Sequence, residues 1–276
     1  MQEKHKEKLI SIQPYFVMEA DDFCQHVLIE NGISHFFSFS NKTAQDITVP
    51  LLVDSCSNLI FEYRNETVRT HLIGITVEKR TFSVKANADY FGVRLQPSVT
   101  KFVREYQPKD IIGKIIILDD LPSTKEFCRT MGMQKDFNSR MYTFLQEYSK
   151  FQDIGKDDAK TDLFRQISDL IIQRKGMVRV SELEDLAGYS SRYINKIFEK
   201  ELGLSAKQLC STVKFQFLLS DLNKGISENF TSIASEYNFY DQAHFIHEFK
   251  EFSGKTPSEY AREVEQRKYV DSIKNI

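Results

Sequence analysis

The pattern of apolar and polar positions is clearest in residues 181–202, where it predicts two short helices joined by a tight turn. Ser181 can cap the first helix, with Glu184 three residues later, and Gly188 can adopt the left-handed conformation that ends it. Ser190 can cap the second helix. Apolar residues recur at helical spacing along both helices: Leu183, Leu186, Ala187, Ile194, Ile197, Phe198 and Leu202. The pattern therefore predicts a helix-turn-helix.

The same pattern returns about fifty positions later, in residues 231–252. Thr231 and Asp241 can cap its two helices, and Asn238 stands where Gly188 stood, since Asn also tolerates a left-handed turn. The intervening stretch Ser205–Asn223 contains neither Gly nor Pro and predicts a helix roughly 28 Å long. One turn of duplex DNA measures roughly 34 Å. A rigid connector of this length could place both second helices in successive major grooves.

The outward positions of the two second helices carry residues that suit DNA. Arg and Lys pair with guanine, Asn and Gln pair with adenine, and the first turns of a recognition helix reach the base edges. We therefore predict base contacts from six residues: Arg192, Asn195, Lys196, Gln242, His244 and His247. Ser191, Lys200 and Lys250 are predicted to contact phosphates. A solvated basic helix face is the competing interpretation, which the repetition of the motif makes less attractive.

Residues 161–264, including the closing GKTPSEYAREV at Gly254–Val264, resemble the DNA-binding domain of the AraC/XylS family of bacterial transcription regulators. The resemblance covers both motifs and their connector. It implies a promoter site on double-stranded DNA, RNA polymerase as a partner if the protein is an activator, and an N-terminal β-barrel that senses a small molecule. Three residues depart from the family pattern. Asn238 replaces a usual Gly, Phe215 a smaller aliphatic residue, and His247 a frequent Arg or Lys.

Short β-branched and aromatic runs alternate with turn residues between positions 33 and 118. There are seven at roughly ten-residue spacing, which predicts a small antiparallel barrel or sandwich. They are His35–Phe39, Thr48–Val53, Leu59–Tyr63, Val68–Ile75, Thr81–Val84, Tyr90–Leu95 and Ile115–Leu118. The predicted fold class is α+β, with a cupin-like N-terminal β-domain followed by helices and then an all-α domain with two helix-turn-helix motifs. The predicted boundaries are residues 1–121 for the β-domain, 122–151 for a helical segment, 152–160 for a linker and 161–276 for the DNA-binding domain.

Aromatic residues in the predicted strands could line an apolar ligand cavity, although strand aromatics more often form the core. The ligand-pocket hypothesis names Phe61, Tyr63 and Tyr90, with Arg94 as the partner of an acidic ligand if it points inward. In Ser123–Phe151, apolar residues predict helices that either close the barrel or pair two subunits in a homodimer. Arg267–Ile276 is predicted to be an irregular tail.

Composition excludes several classes of protein. The net charge is −2, and residues 161–276 carry 16 Lys and Arg against 17 Asp and Glu, so any DNA binding depends on a local basic surface. Four widely separated cysteines predict neither disulfides nor a metal site, which favours a reducing, cytoplasmic setting. No signal peptide or membrane span is predicted from the sequence.

Catalysis and cofactor binding are not predicted, because the sequence has no phosphate loop, no nucleophile elbow, no His-x-His spacing and no paired carboxylates in a recognisable context. The leading interpretation is a sequence-specific transcription regulator, with an N-terminal domain that senses a small molecule or mediates pairing. Two alternatives stay open. The N-terminal domain could bind another protein, or the chain could be an enzyme fused to DNA-binding helices.

Overall fold

A computed structural model describes residues 13–97, 103–152, 159–225 and 230–276. The N-terminal half is rich in β-strands, and every one of the seven predicted runs falls on a strand. Its elements are α1 (Pro14–Glu19), β1 (Asp21–Glu30), β2 (Ile33–Asn41), β3 (Ile47–Leu51), β4 (Ser57–Arg64), β5 (Thr67–Ile73), β6 (Arg80–Val84), β7 (Ala88–Leu95), α2 (Pro108–Ile111), β8 (Ile115–Ile117), α3 (Lys125–Gly132) and α4 (Phe137–Gln152).

The strands form one large sheet and one small sheet. The large sheet has seven strands in the order β8-β5-β4-β7-β2-β1-β9, where β9 (Lys274–Asn275) comes from the C-terminus, and β3 pairs with β6 in the small sheet. All pairs are antiparallel except β1 with β9. The predicted β-rich domain is confirmed, but across the described ranges its large sheet is open, with edges at β8 and β9, and does not close into a hydrogen-bonded barrel.

Each face of the large sheet buries its own layer of aromatic rings. On the face covered by α1 and the small sheet, which we call the aromatic face, the Phe39 ring stacks on Phe16 at 4.9 Å and on Tyr90 at 4.8 Å between centroids. The opposite face, the helix-covered face, packs Phe61 and Phe91 of the sheet against α3 and α4. Side chains alternate between the two faces because the period of a strand is two.

The C-terminal half is helical up to its last residues. It contains α5 (Ala159–Gln173), α6 (Val180–Ala187), α7 (Ser191–Glu201), α8 (Ala206–Asn223), α9 (Phe230–Glu236), α10 (Gln242–Ser253) and α11 (Pro257–Gln266). The predicted pair of helix-turn-helix motifs joined by a long helix is confirmed as α6–α7 and α9–α10, joined by α8. Within the described ranges, no helix has the length and apolar character required to span a bilayer.

Several local predictions need correction. Helix α6 begins at Val180, and the Arg179 amide donates to Glu182 Oε2 at 2.7 Å, so Ser181 is not its cap. The described part of α9 begins at Phe230, so Thr231 lies inside the helix instead of capping it. The C-terminal residues are not an irregular tail, because Tyr269 is buried and β9 pairs with β1. Residues 153–158 of the predicted linker lie outside the described residues, as do the first twelve residues.

The two halves share a core and several polar contacts. Tyr15 donates its hydroxyl hydrogen to Glu263 Oε2 at 2.9 Å, and Gln216 of α8 donates to the Val53 carbonyl. Arg267 donates to both carboxylate oxygens of Glu19, at 3.0 and 3.2 Å. At Gly203, which follows α7, a Cβ atom would lie 2.7 Å from Lys109 Cα of α2. The helical half is therefore docked against the β-domain at several points.

Replacement of Gly92 by any larger residue should destabilise the large sheet. A Cβ atom at Gly92 would overlap the ring of Phe37 on β2, so Gly92→Ala is expected to lower the free energy of unfolding by about 1–3 kcal/mol. Gly132→Ala is the matched control, because its Cβ would sit 3.4 Å from Val68, an ordinary contact. Chemical denaturation of both variants measures the difference. Equal stability of the two variants would contradict the close packing of Phe37 on β7.

Candidate nucleic-acid interface

The first motif is held in shape by short-range hydrogen bonds at its turn. Gly188 adopts φ 69°, as predicted, and the Ser190 side chain accepts from the Tyr193 amide at 3.4 Å to cap α7. The Glu184 carboxylate of α6 accepts from the Ser191 amide, and this bond lowers the pKa of Glu184. The turn therefore fixes the angle at which α7 leaves α6.

Two of the predicted base-reading residues of α7 project freely from its outer surface. Arg192 and Lys196 are exposed, while Ile194, Ile197 and Phe198 are buried beneath them. This arrangement is typical of a recognition helix, whose inner face packs on the domain while its outer face meets the groove.

Asn195 and Lys200 are placed differently from Arg192. Asn195 is half-buried, and its Oδ1 accepts from the Ala206 amide at 3.1 Å, at the start of α8. Bidentate pairing with adenine needs that oxygen, so in this conformation Asn195 Oδ1 is already occupied by a hydrogen bond within the protein. Lys200 is exposed, with its Nζ 3.1 Å from Glu201 Oε1. Ser191, also predicted to contact phosphate, is half-buried at the first turn of α7.

The second motif repeats the turn with one extra residue. Asn238 adopts φ 54°, and Asp241 caps α10 by accepting from the His244 amide at 2.7 Å, both as predicted. Three positions separate Asn238 from its cap, whereas two separate Gly188 from Ser190. The added residue is Tyr240, whose surface is 92% exposed. Tyr240 was not among the predicted interface residues, although the difference in spacing between the two turns points to it.

The outer surface of α10 carries less positive charge than that of α7. Gln242, His247 and Lys250 are exposed, and His244 Nε2 lies 3.6 Å from Glu248 Oε2. Glu248 is also 3.0 Å from Lys214 Nζ of α8. Helix α10 carries one exposed Lys or Arg, Lys250, whereas α7 carries three, Arg192, Lys196 and Lys200. The outer surface of α7 therefore offers more positive charge to a phosphate backbone.

The predicted ligand pocket is not formed by the four named residues. Phe61 and Tyr63 of β4 lie on the helix-covered face, where the Tyr63 hydroxyl donates to the Met131 carbonyl at 3.1 Å. Tyr90 and Arg94 of β7 lie on the aromatic face. The β4–β7 register pairs Phe61 with Phe91, so it sets Phe61 and Tyr90 on opposite sides of the sheet. No single cavity can be lined by all four.

Arg94 does point inward, but it binds a carboxylate of the protein itself. Its surface is 1% exposed, and its guanidinium donates to Asp54 Oδ2 and, at 3.2 Å, to Asn58 Oδ1. Gln13 donates to the same Asp54 oxygen at 2.9 Å. A buried charge is tolerable only when paired and hydrogen-bonded, and Asp54 meets that requirement. The acidic partner of Arg94, which was predicted to be a ligand, is therefore Asp54 of the chain itself.

The other titratable groups of the described residues give no sign of a metal site. Among them, no group of three or more His, Cys, Asp or Glu side chains could hold a metal ion, and none of the four cysteines forms a disulfide. Burial raises the pKa of Cys128 to about 11 and that of Cys210 to about 12. These thiols are therefore protonated near neutral pH and poor nucleophiles.

Two family models match separate parts of the chain. Residues 26–116 match a Domain of unknown function (DUF6597), and residues 183–263 match a Helix-turn-helix domain. The second match contains α7, α8, α9 and α10 in full. Residues 183–263 form an AraC/XylS-type helix-turn-helix domain. The predicted resemblance is confirmed for this AraC/XylS-type domain, and the β-domain carries a family description without a function.

The similar proteins with curated names each match less than a third of this chain. An "Uncharacterized HTH-type transcriptional regulator" of Staphylococcus aureus is 31% identical over 81 residues, which is 29% of this chain and 11% of that protein. The "Msm operon regulatory protein" of Streptococcus mutans is 31% identical over 91 residues, covering 32% of this chain and 31% of that protein. The matched stretch thus spans about a tenth to a third of the length of these relatives.

Among solved structures, a 1.65 Å structure of ToxT from Vibrio cholerae aligns over 88% of this chain and 99% of that chain, with 12% sequence identity and a TM-score of 0.44. A second ToxT structure, from Vibrio cholerae O395, aligns with a TM-score of 0.42 and 13% identity, over 88% of this chain and 96% of that chain.

The buried His35, next to Arg94, predicts a loss of stability in acid. Burial, with a smaller contribution from Arg94, lowers the pKa of His35 to about 3 from an ordinary value of 6.5. Below pH 6.5 His35 is protonated in the unfolded chain but stays neutral in the folded chain. The free energy of unfolding therefore falls as the pH drops toward 3. Between pH 7 and pH 5 this should cost about 2 kcal/mol.

Urea unfolding of the wild type and of His35→Gln at both pH values measures this contribution. The carboxylates titrate alike in both proteins. The stability advantage of the wild type over the variant should therefore shrink by about 2 kcal/mol on acidification. An advantage that does not change with pH would show that His35 is protonated in the folded state.

Proposed function

We propose that the protein is a sequence-specific DNA-binding transcription regulator that reads duplex DNA chiefly through α7. The observation that carries the proposal is the outer surface of α7. There Arg192 and Lys196 stand exposed on the first two turns of a capped helix whose inner face is fully packed. The relatives that share this domain are described as transcriptional or operon regulators, which supports the same function.

The residues of the interface divide by role. Arg192 and Lys196 read bases, with Asn195 joining them only if it releases the Ala206 amide. Ser191 and Lys200 hold phosphates beside α7, and Lys250 does so beside α10. Gln242, His244 and His247 make the weaker base contacts of the second motif, because α10 carries a single Lys or Arg and His244 lies 3.6 Å from Glu248.

The β-domain supplies regulation and no catalytic step in this proposal. Because the β-domain packs against the AraC/XylS-type domain, a conformational change in the β-domain would be transmitted to the helices that contact DNA. A small-molecule effector or the pairing of two copies could provide that change. Activation of transcription, through contact with RNA polymerase in the cytoplasm, is the mode that the family resemblance implies.

Arg192→Ala should weaken binding to the preferred site by about 1–3 kcal/mol and relax the sequence preference at one position. The preferred site is first selected from random duplexes with the full chain, and affinities are then measured at fixed salt. Arg129→Ala is the matched control, because Arg129 is an exposed Arg of α3 in the β-domain, paired with Glu126. If Arg192→Ala binds and selects DNA like this control, α7 is not the reading helix.

Tyr240 should contact the sugar-phosphate backbone beside the second motif. An exposed Tyr immediately before the α10 cap can lay its ring against a sugar and direct its hydroxyl to a phosphate. Tyr240→Ala should weaken DNA binding about 3- to 30-fold without changing the unfolding midpoint, since the side chain buries almost nothing in the free protein. Tyr240→Phe separates the ring from its hydroxyl. Unchanged affinity in both variants would remove Tyr240 from the interface.

A further inference from the structure

We infer that mild acid recruits the second motif to DNA, through His244 and His247 on the outer surface of α10. This inference rests on the proposed function and adds its regulation by pH. The sequence contains six histidines, and the two that follow position 71 are both on α10. Both are exposed, and they lie three positions apart, so they share one side of the helix.

The net charge of α10 changes sign when its two histidines are protonated. Residues Gln242–Ser253 carry Lys250 against Glu248 and Glu251, which gives a net charge of −1 with neutral histidines. Two protonated imidazoles convert this value to +1. Helix α7, Ser191–Glu201, carries three Lys and Arg against two Glu, also a net charge of +1. In acid the second recognition helix therefore matches the first, whereas with neutral histidines its charge opposes a phosphate backbone.

The charge of α7 does not respond to pH in the same way. Arg and Lys side chains ordinarily stay positive throughout the range from pH 5 to 8, whereas an ordinary histidine gains its charge within that range. The first motif, with Arg192 and Lys196, therefore supplies a constant contribution to DNA affinity. The second motif supplies a contribution that grows as the pH falls.

His244 exchanges a weak contact for a stronger one when it takes up a proton. As a neutral imidazole its Nδ1 accepts from the Tyr240 amide, but at 3.5 Å this bond is at the long limit and contributes little. Its Nε2 lies 3.6 Å from Glu248 Oε2, so a protonated ring gains an ion pair with that carboxylate. His247, exposed one turn further along, can meet a phosphate directly.

The elements packed around α10 bring charges of both signs. Helix α8 places Lys214 Nζ 3.0 Å from Glu248 Oε1, so Glu248 is shared between a lysine and His244. The other charged groups are Asp241 in the turn, Glu236 as the single charged residue of α9, Glu259 of α11 close to Lys250, and Lys79 of the β5–β6 connection against Gly254. Acids outnumber lysines in this set, so positive charge added to the imidazoles meets no net repulsion from it.

DNA affinity and footprint length at pH 8 and pH 6 test the inference in the full chain. The site is selected from random duplexes at pH 6, and salt is fixed. Binding should be roughly tenfold tighter at pH 6, and the slope of log affinity against log salt should steepen by about 1–2, because each protonated histidine neutralises one more phosphate. The protected region should lengthen by about 10 bp, one duplex turn, as the second major groove is engaged.

Matched variants assign the protons to α10. His244→Gln with His247→Gln keeps hydrogen-bonding side chains but cannot gain charge, so the pH dependence should disappear. His26→Gln is the control, because His26 lies on β1 of the β-domain, and it should retain the wild-type pH dependence. His247→Lys carries a constant charge and should bind at least threefold tighter than the wild type at pH 8. Circular dichroism at both pH values verifies that every protein is folded.

Two results would overturn the inference. One is a wild-type affinity and footprint that are the same at pH 8 and pH 6. The other is a pH dependence that survives in the double glutamine variant, which would place the protons on other groups. In both cases the chain still binds DNA through α7. Failure of the proposed function is different, because no sequence would then be selected at either pH.

Discussion

The buried pair of Arg94 and Asp54 is the constraint around which the β-domain is built. An arginine at the centre of a sheet has no access to water, so the chain must bring a carboxylate to it. Asp54 is held in place by its own loop, where it also accepts from the Cys56 amide at 2.9 Å. Gln13 then connects Asp54 to the Leu52 carbonyl, which fixes the entry of the chain into α1.

The influence of this pair extends into the DNA-binding half. Tyr269 lies close enough to Arg94 for the guanidinium to oppose the upward shift that burial imposes on the pKa of its hydroxyl. Tyr260 donates to Asn223 Oδ1 at 2.6 Å, at the end of α8. The helix that joins the two DNA-binding motifs is therefore anchored by residues that pack near the centre of the β-domain. A shift of the sheet would be transmitted to α8 through packed and hydrogen-bonded side chains.

Local signals in the sequence predicted the elements that depend on local interactions. The left-handed turns at Gly188 and Asn238, and the caps at Ser190 and Asp241, need only neighbouring backbone, so residue type was sufficient. The predicted ligand pocket is not formed by the named residues, because such a pocket depends on strand register and the register places Phe61 and Tyr90 on opposite faces. Strand β9 could not be predicted, since its two residues are ordered only by pairing with β1.

The same distinction explains why only part of the predicted interface could be ranked from sequence. Arg192 and Asn195 lie on the same helix, three positions apart, and both are suitable for reading bases. Their difference arises from α8, which begins beside α7 and whose Ala206 amide needs an acceptor. Asn195 meets that need, whereas Arg192 has only donors and cannot. The helix that positions the second motif thus occupies the Asn195 oxygen of the first, and in the proposed function the base contacts of α7 fall to Arg192 and Lys196.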